Sequence, residues 1–235
     1  MPRVVILRSA EQPFPDPETA LHYPNGLLAA GGDLSPDRLL AAYRRGIFPW
    51  YEHPQPILWW SPDPRMVLFP NEIHISRSLR KRLRHTDFRI TADTSFEAVI
   101  DACAAPRDYT SDTWIGGDMR DAYVQLHRLG HAHSIEVWLD NELIGGLYGV
   151  GIGAVFFGES MFSRTRDASK IALVHLEGQL RQWDYALIDC QQDTPHMRSM
   201  GGRTIARTEF LAILGKECER ERPIGTWSIN WKYTN

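Results

Sequence analysis

The chain has 235 residues, 43% hydrophobic and 23% charged, the balance of a folded globular protein with room for one large domain or two modest ones. A formal charge of -3 argues against a protein that coats nucleic acid through bulk positive charge, but not against one with a local basic patch. Cys103, Cys190 and Cys218 form no CxxC and no zinc-like spacing, which fits a reducing, cytoplasmic setting.

The start, MPRVVILR, has an apolar run too short for a signal peptide or a membrane span and reads as a short strand. A turn-rich segment then ends in Gly31-Gly32. DLSPDRLLAAYRRGIFPW gives a helix, with Ser35 as cap, Pro36 in the first turn and Gly46 as stop. Leu39, Leu40 and Tyr43 are its apolar side. In WYEHPQPILWWSPDPR, Trp50, Trp59 and Trp60 sit among prolines that no helix tolerates. These indoles either plug a seam between two domains or line a pocket for an apolar ligand. The expected division is a small N-terminal domain over 1–62 and a larger one over 63–235.

In the larger part, MVLFP is a strand. NEIHISRSLRKRLRHTDFRITAD follows, with Ile75, Leu79 and Leu83 as the apolar stripe of a helix. Arg77, Arg80, Lys81 and Arg84 fall within about 100° of one another on the opposite side, and Arg82 sits off that face. This face is either a solvated surface or a seat for a phosphate backbone, RNA in particular. FRITAD is the next strand, SFEAVIDACA a helix opened by Thr94 or Ser95, and the helix through DMRDAYVQLHR stops at Gly130. HSIEVWLDNELIGGLYGVGIGAVFFGESMF supplies two or three antiparallel strands, with Asp140-Asn141 as a hairpin turn. DASKIALVHLEGQLRQW is an amphipathic helix with Ile171, Val174, Leu176 and Leu180 apolar and Lys170, Glu177 and Arg181 toward water. YALIDCQ is a strand and RTEFLAILGKECE the last helix. The class is α+β with a mixed central sheet.

Two short strings carry possible chemistry. In FFGESMF, alternation puts Phe157 and Glu159 on one face and Phe156, Gly158 and Ser160 on the other. A carboxylate among aromatics is costly to bury alone. Glu159 is therefore either salt-bridged near a sheet edge or part of a site that receives a cation or orders a reacting group. In LIDCQQD, Asp189 and Gln191 share a face if the strand continues, at the carboxyl end where such sheets tend to place function. A strand ending in polar loop residues is the plainer reading. Cys190 is read as core, since no His lies beside it. His131 and His133 are too weak a pattern for a metal site. GVGIG, lying between strands, lacks the longer nucleotide fingerprint, and there is no Walker motif.

GLLAAGGDLSPDRLLAAYRRGIFPWY, WWSPDPR, TWI, GGLYGVGIGAVFFGESMFSRTRDASKIAL and LIDCQ, in this order from about His22 to Phe210, resemble the bacterial leucyl/phenylalanyl-tRNA–protein transferases. The resemblance implies transfer of Leu or Phe, less readily Met, from Leu-tRNA or Phe-tRNA to proteins with N-terminal Arg or Lys, marking them for N-degron degradation. It implies a small N-terminal domain joined to a GNAT-like domain with a mainly antiparallel sheet. It also implies a monomer with no cofactor, metal or membrane partner. No acyl-CoA is expected, and SRTRDASK lacks the glycines of a CoA-binding loop.

Residue by residue, the resemblance makes Arg77, Arg80, Lys81, Arg82 and Arg84 tRNA-binding. It places Trp50, Trp114, Phe156, Ser160, Met161 and Leu173 around the Leu or Phe side chain and terminal adenosine. Asp189, Gln191 and Glu159 carry the chemistry, with Asp189 polarising Gln191, whose carbonyl oxygen accepts from the attacking amine. Glu159 and Asp189 together form an acidic neighbourhood for a basic acceptor. HMRSMGG stands where the family more usually has an HLxSLGA-like string, and Trp183-Asp184 where a glycine is common. A non-catalytic RNA-binding or adaptor protein and a CoA-dependent N-acyltransferase remain the other readings.

Overall fold

A computed structural model describes residues 3–9, 11–84, 87–105 and 115–234 of the chain. Two sheets organise it. The smaller has the order β1-β2-β4-β3, from β1 (Val5–Leu7), β2 (Leu27–Gly31), β3 (Phe48–Pro49) and β4 (Leu58–Trp60). Helix α1 (Pro36–Arg44) runs between β2 and β3, with Ser35 at its N-cap and Pro36 at N1. Its stop is steric as well as conformational. Gly46 has φ 69°, and a Cβ there would lie 2.8 Å from the Leu211 side chain.

The larger sheet has the order β11-β5-β10-β9-β8-β7-β6. Its strands are β5 (Arg65–Leu68), β6 (Arg89–Ala92), β7 (Ala132–Leu139), β8 (Glu142–Ile152), β9 (Val155–Ser163), β10 (Leu187–Gln191) and β11 (Arg203–Ile205). All neighbours pair antiparallel except β9 and β10. The β7–β8 hairpin turns on Asp140 and Asn141, both at positive φ, the backbone that a two-residue turn between twisted strands requires.

Two cores lie on opposite faces of this sheet. The first joins α1 and the small sheet to α3 (Phe96–Ala104), α4 (Gly117–Arg128) and α7 (Arg207–Glu217), around Tyr43, Trp59, Tyr123, Tyr148 and Phe157. The second joins α2 (Arg77–Leu83), α5 (Ala168–Gln182) and α6 (Pro195–Ser199), around Leu68, Leu83, Phe156, Leu173 and Met197. The β7–β9 meander, α5 and the parallel return strand β10 make a GNAT-like arrangement, so the expected α+β class with a mainly antiparallel sheet is found.

Three expectations change. Ile75 precedes α2 rather than continuing its stripe, because Ser76 is extended and caps the helix by accepting from the Leu79 N–H at 3.2 Å. GVGIG does not lie between strands: Gly149 to Ile152 belong to β8, and a Cβ on Gly149 would lie 2.2 Å from the Phe157 carbonyl oxygen. Glu177 is not toward water but buried, accepting from the Asn71 N–H at 2.9 Å. The cause is the C-terminal segment, which crosses α5. The Asn230 and Trp231 N–H groups both donate to Gln179 Oε1 at 2.9 Å, and the Trp231 ring lies over Gly178.

Candidate functional site

Strands β9 and β10 pair only through Leu187–Val155, Ile188–Phe156 and Asp189–Phe157. Beyond that point β9 continues with β8 alone, and β10 bends away. The gap between them holds a cavity of about 890 Å³ lined from both faces of the sheet. Trp50 and Tyr148 come from the first face, Leu173 and Met197 from the second, and Phe156, Glu159, Ser160, Met161, Asp189 and Gln191 lie along the gap. Five of the six proposed pocket residues are thus brought together. Trp114 lies outside the described residues.

Glu159 owes its position to a bulge. Gly149 faces Gly158 and Tyr148 faces Ser160, which leaves Glu159 as the extra residue of β9. Strict alternation therefore fails after Glu159. Ser160 sits opposite Tyr148 of the first core instead of sharing the face of Phe156, and Met161 packs on the second core. Three donors converge on the bulged carboxylate. Tyr43 and Tyr123 each donate a hydroxyl at 2.7 Å, one to each oxygen, and Gln191 Nε2 donates at 2.8 Å. The two phenol oxygens also lie in contact, and since each has one proton, a bond between them competes with one of the bonds to Glu159. Desolvation still pushes the Glu159 carboxyl up to about 7, and the nearby Asp189 charge adds to the rise.

Asp189 is fully buried and already paired. Arg65 Nε and Nη2 donate to its two oxygens at 2.8 and 2.7 Å, a bidentate fork. The guanidinium itself is fixed between the Phe48 and Phe210 rings, each 4.7 Å away, and donates to the Gly46 carbonyl. Asp189 reaches Gln191 through the main chain, accepting its N–H at 2.9 Å, whereas the side-chain amide is held by Glu159. A register shift between Asp189 and Gln191 puts Gln191 at φ 60°, so their proximity does not come from regular alternation. With Asp189 matched by Arg65, the pair of carboxylates is not a ready acidic seat for a cation.

The other candidates are also placed. Cys190 lines the cavity, where burial and then the Asp189 charge push its thiol up, away from the reactive thiolate. Trp60 donates to the Trp50 carbonyl at 2.6 Å and props the indole that reaches the cavity, while Trp59 is buried and donates to the Gly31 carbonyl. Arg77, Arg80, Lys81 and Arg84 are exposed, whereas Arg82 is half-buried against Phe88. His133 bonds Asp93 at 2.8 Å and stacks on Trp227.

Tyr43, Tyr123 and Arg65 are the residues sequence reasoning missed. The tyrosines look like ordinary apolar helix positions, and no local signal marks them. Arg65 had one: a cation leading directly into the buried strand MVL needs a buried partner.

A profile of the leucyl/phenylalanyl-tRNA protein transferase family matches residues 67–215, and one of its N-terminal domain matches residues 32–63. A leucyl/phenylalanyl-tRNA–protein transferase of Stutzerimonas stutzeri is 59% identical over 91% of this chain and 95% of its own. One from Nitrosomonas europaea is 61% identical over 88% of each chain. Among solved structures, a GCN5-related N-acetyltransferase from Kribbella flavida aligns over 73% of this chain and 61% of its own, at 9% identity and a TM-score of 0.38. That last likeness is too distant to carry chemistry. The identities to the bacterial relatives, sustained across nearly the whole chain, are not, and the chain belongs to the leucyl/phenylalanyl-tRNA–protein transferase family.

Proposed function

We propose that the protein transfers Leu or Phe, less readily Met, from aminoacyl-tRNA to the α-amine of proteins beginning with Arg or Lys, marking them for N-degron degradation. The observation that carries this reading is the Glu159–Gln191 contact in the lining of a cavity walled largely by apolar side chains. The donor ester is already activated, so the protein has to position it beside a neutral amine and stabilise developing charge. An ionised Glu159 can only accept, so it turns the NH2 end of Gln191 toward itself. The amide oxygen of Gln191 is then available to accept from the attacking amine. The new C–N bond forms as the bond to the terminal ribose oxygen breaks, and the amine proton ends on that oxygen.

In this reading Asp189 is a positioning residue: paired with Arg65, it pins the Gln191 main chain. Tyr43 and Tyr123 hold Glu159. Trp50, Trp114, Phe156, Ser160, Met161 and Leu173 surround the Leu or Phe side chain and terminal adenosine. Arg77, Arg80, Lys81, Arg82 and Arg84 receive the tRNA backbone. The residues 1–62 act as a separate small domain that lends Tyr43 and Trp50 to a site on 63–235. The protein works as a cytoplasmic monomer without acyl-CoA. Among the described residues, no helix is long and apolar enough to cross a membrane.

The test is incubation with radiolabelled Phe-tRNA and peptides beginning Arg, Lys or Ala, without ATP or CoA. Label is expected on the Arg and Lys peptides only. Tight tRNA binding with no transfer to any peptide would favour an RNA-binding protein instead.

A further inference from the structure

The two faces of the large sheet give the cavity walls of different character. On the first face, the described lining residues Phe48, Pro49, Trp50, Ala102 and Ala105 carry no charge. On the second, the start of α6 contributes Thr194 and His196, while Arg164, just past β9, lies over the Phe162 ring at the edge of the sheet. Two cations extend that rim outward. Arg166 is 82% exposed at its side chain, and Lys170 lies in the first turn of α5, beside the lining residue Ser169.

Their acidic neighbours do not cancel them. Asp167 lies 3.6 Å from Arg166 and 3.7 Å from Lys170, and Asp193 is taken up by Arg198. Arg166, Lys170 and Arg198 thus face two carboxylates. Beneath them, His196 Nε2 and Thr165 Oγ1 are buried and have no hydrogen-bond partner. Burial, and then the Lys170 ammonium, hold the His196 imidazole below its ordinary range.

The basic helix meets this rim. α2 packs against α5 within the second core, and Arg82 Nη2 donates to the Arg166 carbonyl at 3.4 Å. The basic helix and the rim therefore adjoin on a single face of the sheet. A strand whose apolar aminoacyl end sits in the cavity has to leave over one wall or the other. Its phosphates gain from cations and gain nothing from the uncharged residues described on the first wall.

We propose that Arg166 and Lys170, above His196 and Thr165, seat the last phosphodiesters of the single-stranded 3′ end of the donor RNA and lead it from α2 into the cavity. This rests on the transferase reading, and its test separates the two. The Arg166→Glu/Lys170→Glu double variant is assayed with Phe-tRNA and with phenylalanyl-adenosine, which offers the same ester and base but no phosphate. The ratio of kcat/KM on Phe-tRNA to that on phenylalanyl-adenosine is expected to fall at least ~10-fold at low salt. The log–log salt slope of tRNA binding is expected to become shallower by about 1.4, since each single-strand phosphate contact contributes about 0.7. Arg166→Ala/Lys170→Ala, which removes the same two contacts without adding repulsion, is expected to give the same change of slope and a smaller fall in the ratio.

An unchanged ratio and slope would overturn the proposal. So would an equal fall on both donors, which would trace the loss to the pocket or the fold. A wild-type protein inactive on both donors would overturn the transferase reading itself, and this inference with it.

Discussion

At Glu159 the charge state is set by a contest between desolvation and three hydrogen bonds, and desolvation prevails. Each donor favours the charged form, so removing one raises the carboxyl further. Tyr43→Phe is therefore expected to move the acid limb of the pH–rate profile upward by about one in pH, with kcat/KM at pH 6.5 down about 10-fold. Comparing both proteins with the same peptide separates this limb from that of the acceptor amine. The sign for stability follows from the same shift. A carboxyl raised from 4.5 to about 7 contributes stability that is fully present below 4.5 and lost as pH rises through 7. The loss amounts to at most ~3 kcal/mol, reduced by the residue's partial exposure to the cavity. Glu159→Gln should flatten that slope in urea titrations between pH 5 and 8; a slope that persists would mean other groups set it. The Arg65–Asp189 pair behaves differently. Arg65→Met strands a buried carboxylate and should cost about 3–5 kcal/mol, whereas Arg65→Met/Asp189→Leu should recover most of that in urea melts yet remain inactive.

The elements were legible where local chemistry decided them. Asp140-Asn141 fixed the β7–β8 turn, and Pro36 with Gly46 bracketed α1, because turn and cap geometry depend on a few adjacent residues. The bulge at Glu159 was not legible. Gly158 in FFGESMF is only a weak sign of it; Gly149, its partner on the neighbouring strand, permits it by letting the Phe157 carbonyl and Phe156 ring close in. The buried side of α5 was misread for a related reason. Its outer face looks polar because its cover, Trp227 to Tyr233, arrives from the far end of the chain. Gly178 is the contact point, and a Cβ there would lie 2.2 Å from the Trp231 ring. On an open helix surface Gly→Ala would stabilise by about 1 kcal/mol. Gly178→Ala is instead expected to lift the segment and cost about 1–3 kcal/mol, seen as a lower urea midpoint with tryptophan fluorescence shifted to the red.

Across the whole molecule, the site is assembled from parts that sequence order keeps far apart. Tyr43 comes from α1, Tyr123 from α4, Glu159 from β9 and Gln191 from β10, so no single string of the sequence contains the site. Asp189, Gln191 and Glu159 could be nominated because they are polar residues in apolar strands; their partners could not, because a buried tyrosine is ordinary. The fold resolves this by splaying β9 from β10, and the opening it creates reaches both faces of the sheet. That opening has a kinetic consequence. The thiol that lines it, Cys190, is held protonated, so it offers the aminoacyl group no ready thiolate. Direct transfer from ester to amine, as proposed above, needs donor and acceptor resident together, and until the acceptor arrives water is the competing nucleophile. Deacylation by water is thus the competitor of direct transfer, and the aromatic rings of Trp50 and Phe156 in the lining offer water few hydrogen-bond partners there.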